Sequence, residues 1–209
     1  MIKSHVISLK RTPDRLQRFR KNNSRVDLAI EHFEAVDGSA LRHDDPELSE
    51  IFGPRSESYT PGARGSALSH LRLWQSCIEE NRPIVIFEDD AIIRRDFDRV
   101  LGKALETIHR DWHLVLFGYN TDSVLTVDTE AARRTYVFQT KYPSEEMLLR
   151  SAMRTSEVAF LRLHHAFGLC GYALSPRGAR ILSMLCFPLD NRVLHIAASG
   201  AYEHPPSMA

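Results

Sequence analysis

Three cysteines in 209 residues, Cys77, Cys170 and Cys186, are an odd number and widely spaced. They do not suggest a disulfide framework or a zinc site. Each sits among apolar neighbours, so the sequence predicts three buried, reduced thiols. No apolar run approaches membrane-spanning length. The opening stretch, Met1 to Lys10, has too little apolar sequence for a signal peptide, so the expected location is cytoplasmic. Charge of neither sign is in excess, with 27 Lys+Arg against 27 Asp+Glu. That balance argues against a broad nucleic-acid footprint. There is no Gly-Lys-Ser/Thr phosphate loop and no Gly-x-Ser-x-Gly elbow, which counts against P-loop and serine-hydrolase chemistry. No internal repeat, low-complexity tract or linker divides the chain. An apolar content of 43% and a charged content of 26% suit one soluble domain over residues 1–209.

The elements alternate. Residues 4–9 read as a strand, and Thr12-Pro13 opens a helix to about Asn22. Residues 29–36 read as a second strand closed by the turn pair Asp37-Gly38. The polar stretch 40–61 reads as a long loop with at most one short helix. A helix is expected from near Gly65, with Ala67, Leu71, Trp74 and Ile78 on its inner stripe. Ile84 to Phe87 reads as a strand buried on both faces. A helix over 95–109, a strand over 112–117, a strand at 135–139 and a helix over 144–160 follow. Leu169 to Leu174 is expected as a strand, Ser175-Pro176 opens a helix to about Cys186, and Pro188-Leu189-Asp190 introduces a last short helix. This pattern predicts an α/β fold with a mostly parallel central sheet flanked by helices. Ligands then belong beyond the C-terminal strand ends.

The strongest chemical signal stands there. Glu88, Asp89 and Asp90 follow one another at the end of the apolar strand. Three adjacent carboxylates repel, and a divalent cation is the simplest remedy, since hard oxygen ligands hold Mg²⁺ or Mn²⁺. An acidic turn capping the next helix is the plainer reading. Alternate residues of a strand share a face, so Glu88 and Asp90 are expected to face one cavity while Asp89 turns away. Pro61-Gly62-Ala63-Arg64-Gly65-Ser66 reads as a helix start whose glycines let a ligand approach free amides, with His70 a turn beyond Ser66. A simple turn and a core histidine fit equally well. Lys10, Arg11 and Arg15 after the first strand suit phosphate or a solvated helix start. His164-His165 suit a substrate-site wall better than a zinc site. Asp190 suits either a helix cap or a general base.

In chain order, Val6-Ile7-Ser8-Leu9-Lys10-Arg11 with Arg15, Phe33-Glu34-Ala35-Val36-Asp37-Gly38, Gly65-Ser66-Ala67-Leu68-Ser69-His70 with Leu73-Trp74, Phe87-Glu88-Asp89-Asp90-Ala91, Gly171 to Ala179, and Pro188 to Asp190 resemble glycosyltransferase family 25. That family comprises bacterial lipooligosaccharide galactosyltransferases related to the collagen galactosyltransferases. The resemblance implies a GT-A-like fold, a UDP-sugar donor (usually UDP-galactose), Mn²⁺ or Mg²⁺, and inversion at the anomeric carbon. On that resemblance the donor-binding residues are Arg11, Arg15, Asp37, Gly65, Ser69, His70, Glu88 and Asp89. The metal ligands are Asp90 and Glu88 with His204, and the catalytic base is Asp190. The implied acceptor is a glycan such as lipooligosaccharide, which brings peripheral association with the inner membrane face; no nucleic acid is implied. Two departures stand out. Ala63-Arg64 replaces an acidic or amide residue usual before the Gly-x-Ala-Leu-Ser-His segment, and the sequence stops soon after Pro205-Pro206, where many relatives continue. The readings kept beside this one are a metal-dependent nucleotidyltransferase and a non-catalytic nucleotide-sugar-binding protein.

Overall fold

The computed structural model describes residues 2–42, 46–138, 141–155, 157–191, 194–196 and 200–202. The strands are β1 (Lys3–Ser8), β2 (Ile30–Glu34), β3 (Ile84–Glu88), β4 (Leu114–Leu116), β5 (Val124–Asp128), β6 (Arg133–Val137), β7 (Arg162–Ala166), β8 (Gly171–Leu174), β9 (Leu194–Ile196) and β10 (Gly200–Tyr202). The helices are α1 (Pro13–Asn22), α2 (Pro46–Ser49), α3 (Pro61–Glu79), α4 (Phe97–Thr107), α5 (Glu145–Ala152) and α6 (Pro176–Cys186), with 3₁₀ turns at Gly38–Ala40 and Ser56–Ser58.

The central sheet has the order β2-β1-β3-β8-β4. β1 pairs in parallel with β2 and β3, while β8 runs antiparallel to both β3 and β4. Four strands therefore point one way and β8 runs against them, giving a mixed, mostly parallel sheet in an α/β fold. The apolar strands serve two faces by simple alternation. Ile7, Ile84, Ile86, Tyr172 and Leu174 pack with Leu68, Leu71, Trp74 and Cys77 of α3 and Ala179 of α6. Val6, Val85, Phe87 and Ala173 pack on the opposite face with Phe19 of α1 and Phe97 and Leu101 of α4. A three-stranded antiparallel sheet, β6-β5-β7, and the β9–β10 hairpin lie outside this layer structure.

Several sequence expectations need correction. α3 starts at Pro61, a full turn before Gly65. Thr60 accepts a hydrogen bond from Ala63 N at 3.2 Å and Pro61 takes the first turn, the same Thr-Pro signal read at residues 12–13. At Thr12 itself the hydroxyl makes no cap and donates back to Leu9 O at 3.4 Å. α5 ends at Ala152, whose carbonyl accepts from Arg95 N at 3.0 Å and so no longer serves the helix. Among the described residues, no helix follows Pro188. Leu189 instead bridges Phe52 as a strand would, its N–H donating to Ile51 O at 2.7 Å. Among the described residues, the stretch 121–143 holds two strands rather than one. Cys77 is buried as expected, but Cys186 is exposed at the end of α6. Among the described residues, no helix is long and apolar enough to cross a membrane.

Candidate active site

The three acids sit at the C-terminal end of β3, next to the end of β1. Ala91 N donates to Glu88 O at 3.1 Å, so Asp89 and Asp90 form the middle of a tight turn. Strand alternation sends Glu88 to the α3 face and Asp89 to the α1 face. Asp89 is 8% exposed and its carboxylate is taken up by the protein. Ser8 Oγ donates to Oδ2 at 2.7 Å, and Arg15 Nε donates to Oδ1 at 2.8 Å with a second contact from the same guanidinium. That hydrogen bond with Asp89 also raises the Arg15 pKa, keeping its charge in place. Arg15 and Asp89, both expected at the donor, bind each other as an ion pair. Asp90 points outward, with 64% of its side chain exposed and Arg15 at 3.6 Å.

The far side of the turn is clamped by a residue the sequence did not single out. Asn23, buried at the end of α1, donates to Ala91 O at 2.9 Å and accepts from Ile93 N at 2.8 Å. Arg25 adds a bond to Ile93 O at 2.9 Å. A buried amide has no local sequence signature, because its partners lie about seventy positions away.

On the α3 face, His70 Nε2 lies 3.5 Å from Glu88 Oε1. His70 Nδ1 is 2.7 Å from the Tyr172 hydroxyl, which also accepts from Trp74 Nε1 at 2.8 Å. Tyr172 stands on β8, and its phenol is held far above the usual range by burial. The backbone beside it also touches the acids, since Glu88 N donates to Cys170 O at 3.1 Å. The Cys170 thiol is pushed up to about 11 by burial first and then by Glu88 and Asp90.

The loops after β1 and β2 meet through Arg11 and Asp37, whose Nε and Oδ2 are 2.6 Å apart. Asp37 also caps Ser39 N at 3.0 Å, and this backbone bond followed by Arg11 holds its carboxyl below the usual range. The glycines beside this pair leave no room for a side chain. A Cβ on Gly65 would stand 2.6 Å from Gly38 N, and one on Gly38 would stand 2.9 Å from Gly65 N. The Asp37–Gly38 turn thus packs directly on the α3 backbone. Ser69, 0% exposed, ties the same joint by donating to Gly65 O and accepting from Val36 N. Gly65 and Ser69, expected at the donor, make packing contacts at this joint.

Asp190 is held just as firmly. Its carboxylate accepts from Arg55 N at 3.0 Å, Arg55 Nη2 at 3.0 Å and Asn191 N at 2.9 Å, and Arg55 keeps its pKa below the usual range. A carboxylate so held is a clamp between the 51–59 and 187–191 segments before it is a base. His164 Nε2 lies 2.6 Å from Asp128 Oδ2 and 2.8 Å from Arg133 Nη2, which fixes it on the small sheet. His204 lies outside the described residues.

Glu88 and Asp90 are the acids whose side chains accept no hydrogen bond from another described side chain in this turn. The Asp90 pKa is raised, first by desolvation of the carboxylate among the surrounding turn atoms, although the side chain's outer edge is exposed, and then by the Glu88 charge. Two such carboxylates fit a hard divalent cation in donor type and charge. Among the described residues no three His, Cys, Asp or Glu side chains form a complete metal shell. A cavity of about 780 Å³ opens beside the turn at Ala91, Gly118 and Cys170 and runs between α4 and the small sheet past Phe97 and Leu163. Its mainly apolar walls do not suit a diphosphate, so charged chemistry belongs at the turn.

The sequence model described as glycosyltransferase family 25 (LPS biosynthesis protein) matches residues 1–192. The chain belongs to glycosyltransferase family 25. It is similar to a "putative glycosyltransferase R655" of Acanthamoeba polyphaga mimivirus, 29% identical over 182 residues, covering 86% of this chain and 51% of the viral protein. A "procollagen galactosyltransferase 2" of Mus musculus is 32% identical over 124 residues, covering 54% of this chain and 20% of the mouse protein. A "lipooligosaccharide biosynthesis protein lic2B" of Haemophilus influenzae is 32% identical over 103 residues, covering 48% and 38%. The family 25 chain described here thus spans about half the length of the viral relative and a fifth of the mouse one.

Proposed function

We propose that this chain is a metal-dependent, inverting glycosyltransferase of GT-A type that moves galactose from UDP-galactose to a glycan acceptor of the lipooligosaccharide kind, working in the cytoplasm. The observation that carries the reading is the splitting of the acid turn. Asp89 is buried in structural bonds, while Glu88 and Asp90 stand at longer distances from their neighbours, 3.5 Å from His70 and 3.6 Å from Arg15. Galactose and the glycan acceptor rest on the printed names of the mouse and Haemophilus relatives.

The Arg11–Asp37 pair borders the nucleotide side, where the guanidinium can turn toward a diphosphate and the carboxylate toward a ribose hydroxyl. Glu88 and Asp90, with His204 as a third candidate, would hold Mn²⁺ or Mg²⁺, which when bound supplies Lewis-acid stabilisation to the charge developing on departing UDP. The Arg15–Asp89 pair and Asn23 keep the turn from yielding when the diphosphate charge changes. A carboxylate must also take the acceptor's proton. Asp190 can do so only if Arg55 releases it, so its place in the reaction depends on movement of the 51–59 segment.

Calorimetric titration of UDP and a panel of UDP-sugars, in Mn²⁺ and in EDTA, tests the reading. Metal-dependent binding that is tightest for UDP-galactose is expected. A folded protein that binds no UDP compound under either condition would overturn it.

A further inference from the structure

We propose that His70 is the positioning residue of the acid turn, held by Tyr172 and Trp74 in the tautomer that aims Nε2–H at Glu88. This rests on the reading of Glu88 as a ligand-facing carboxylate.

The argument is a count of hydrogens. Tyr172 is wholly buried, and its phenolic oxygen has two neighbours within bonding distance, Trp74 Nε1 at 2.8 Å and His70 Nδ1 at 2.7 Å. An indole nitrogen can only donate, so Trp74 occupies one lone pair of that oxygen. The phenol's own hydrogen then needs an acceptor, and among the described residues His70 Nδ1 is the atom in place to accept it. The reverse assignment, with Nδ1–H donating, leaves a buried hydroxyl hydrogen with no partner, a state that native interiors rarely hold. Burial keeps the phenol protonated, consistent with its pKa far above the usual range. Nδ1 therefore accepts and the ring hydrogen sits on Nε2, 3.5 Å from Glu88 Oε1. That is a contact rather than a full hydrogen bond, and a small rotation of the carboxylate closes it. In the other tautomer, a nitrogen lone pair would face the carboxylate and repel it.

The fold makes the arrangement stiff. His70 and Trp74 are four residues apart on α3 and so share a face. Tyr172 meets both from β8, its ring stacked on His70 with centroids 5.7 Å apart. Turning the imidazole would break both contacts at once. Partners of this kind hold ligating side chains in place, and their loss weakens metal binding by about 10–100-fold.

Nitrogen-15 NMR of the metal-free protein at mildly alkaline pH, with the His70 signals identified by their loss in His70→Gln, reads the tautomer directly. Hydrogen on Nε2 is expected, and hydrogen on Nδ1 would overturn the proposal. Mn²⁺ titration of folded variants supplies the second readout. His70→Gln keeps an N–H near the Nε2 position and should bind within about twofold of the parent, whereas His70→Asn does not and should bind at least about tenfold more weakly. Equal weakening of the two would also overturn it. The two layers fail separately. A parent protein with hydrogen on Nε2 that takes up no Mn²⁺ would sink the metal reading of the turn and leave His70 orienting Glu88. Hydrogen on Nδ1 sinks the positioning role whatever the metal does.

Discussion

Replacing Asp89 with Asn removes a charge that two donors and near-complete burial have been arranged to accept. It should cost about 1–3 kcal/mol of stability, seen as a lower denaturation midpoint. The same change at Asp90, whose side chain is mostly exposed, should move stability by no more than about 0.5 kcal/mol. Its effect should instead fall on sugar transfer, which should drop by about 100-fold or more. Near-normal turnover by folded Asp90→Asn would remove Asp90 from the chemistry. Much of this contrast could be read from the strand alone. Alternation predicts that Asp89 turns away, but not which residues receive it, because Ser8 and Arg15 lie more than seventy positions back along the chain.

At the scale of elements, the joint between the Asp37–Gly38 turn and α3 carries one prediction and the Asp190 clamp another. Gly65→Ala would push a methyl group against Gly38 N and should destabilise by about 1–3 kcal/mol. Unchanged stability on calorimetry would show that the joint can spread. Asp190→Asn tests the clamp against the base. As a clamp it should lower the melting temperature, with activity falling only in step with folded protein. As a base it should lose about 10²–10⁴-fold in rate with little effect on melting. The start and stop signals of the helices explain what was legible here. Ser175-Pro176 announces its helix in the chain itself, with the cap visible in the bond to Gly178, whereas Thr60-Pro61 carries the same signal and the expected start near Gly65 passed over it. The bridge of Leu189 to Phe52 has no such local announcement. Its hydrogen-bond partners come from another segment, so Pro188-Leu189-Asp190 reads as a helix start when taken alone.

For the molecule as a whole, the three thiols report on the layers. Cys186 is exposed and should react first with a thiol reagent in the native protein. Cys77 is buried, with its thiol pushed up to about 11 by burial, and should react only as the layers open. A labelling experiment in which Cys77 and Cys186 react together would contradict the packing. Acid stability carries the other whole-molecule signature. Hydrogen bonding from Arg94, then from Arg99, lowers the Asp96 pKa to about 2. A carboxyl depressed on folding contributes fully above the ordinary carboxylate range near pH ~4 and loses its contribution as pH falls through the folded value. The melting-temperature gap between the parent and Asp96→Asn should therefore narrow from pH ~4 down to about 2. The central sheet was legible at this scale because its apolar strands are near-continuous runs. Of the small sheet only β6 was legible, since β5, with Thr126 and Asp128 among its valines, and β7, with Arg162, His164 and His165, give weaker patterns.

Three acids in a row look interchangeable on paper, but the pleat of β3 addresses each to a different recipient: one to a helix behind, one to a helix in front, one to the open. The cluster consequently has a reading frame. Deleting a single residue inside β3 would preserve all three letters and yet deliver each acid to the wrong neighbour, with Asp89 turned toward the imidazole and Glu88 toward the guanidinium of Arg15. A graft of this motif onto another strand must carry its phase as well as its spelling.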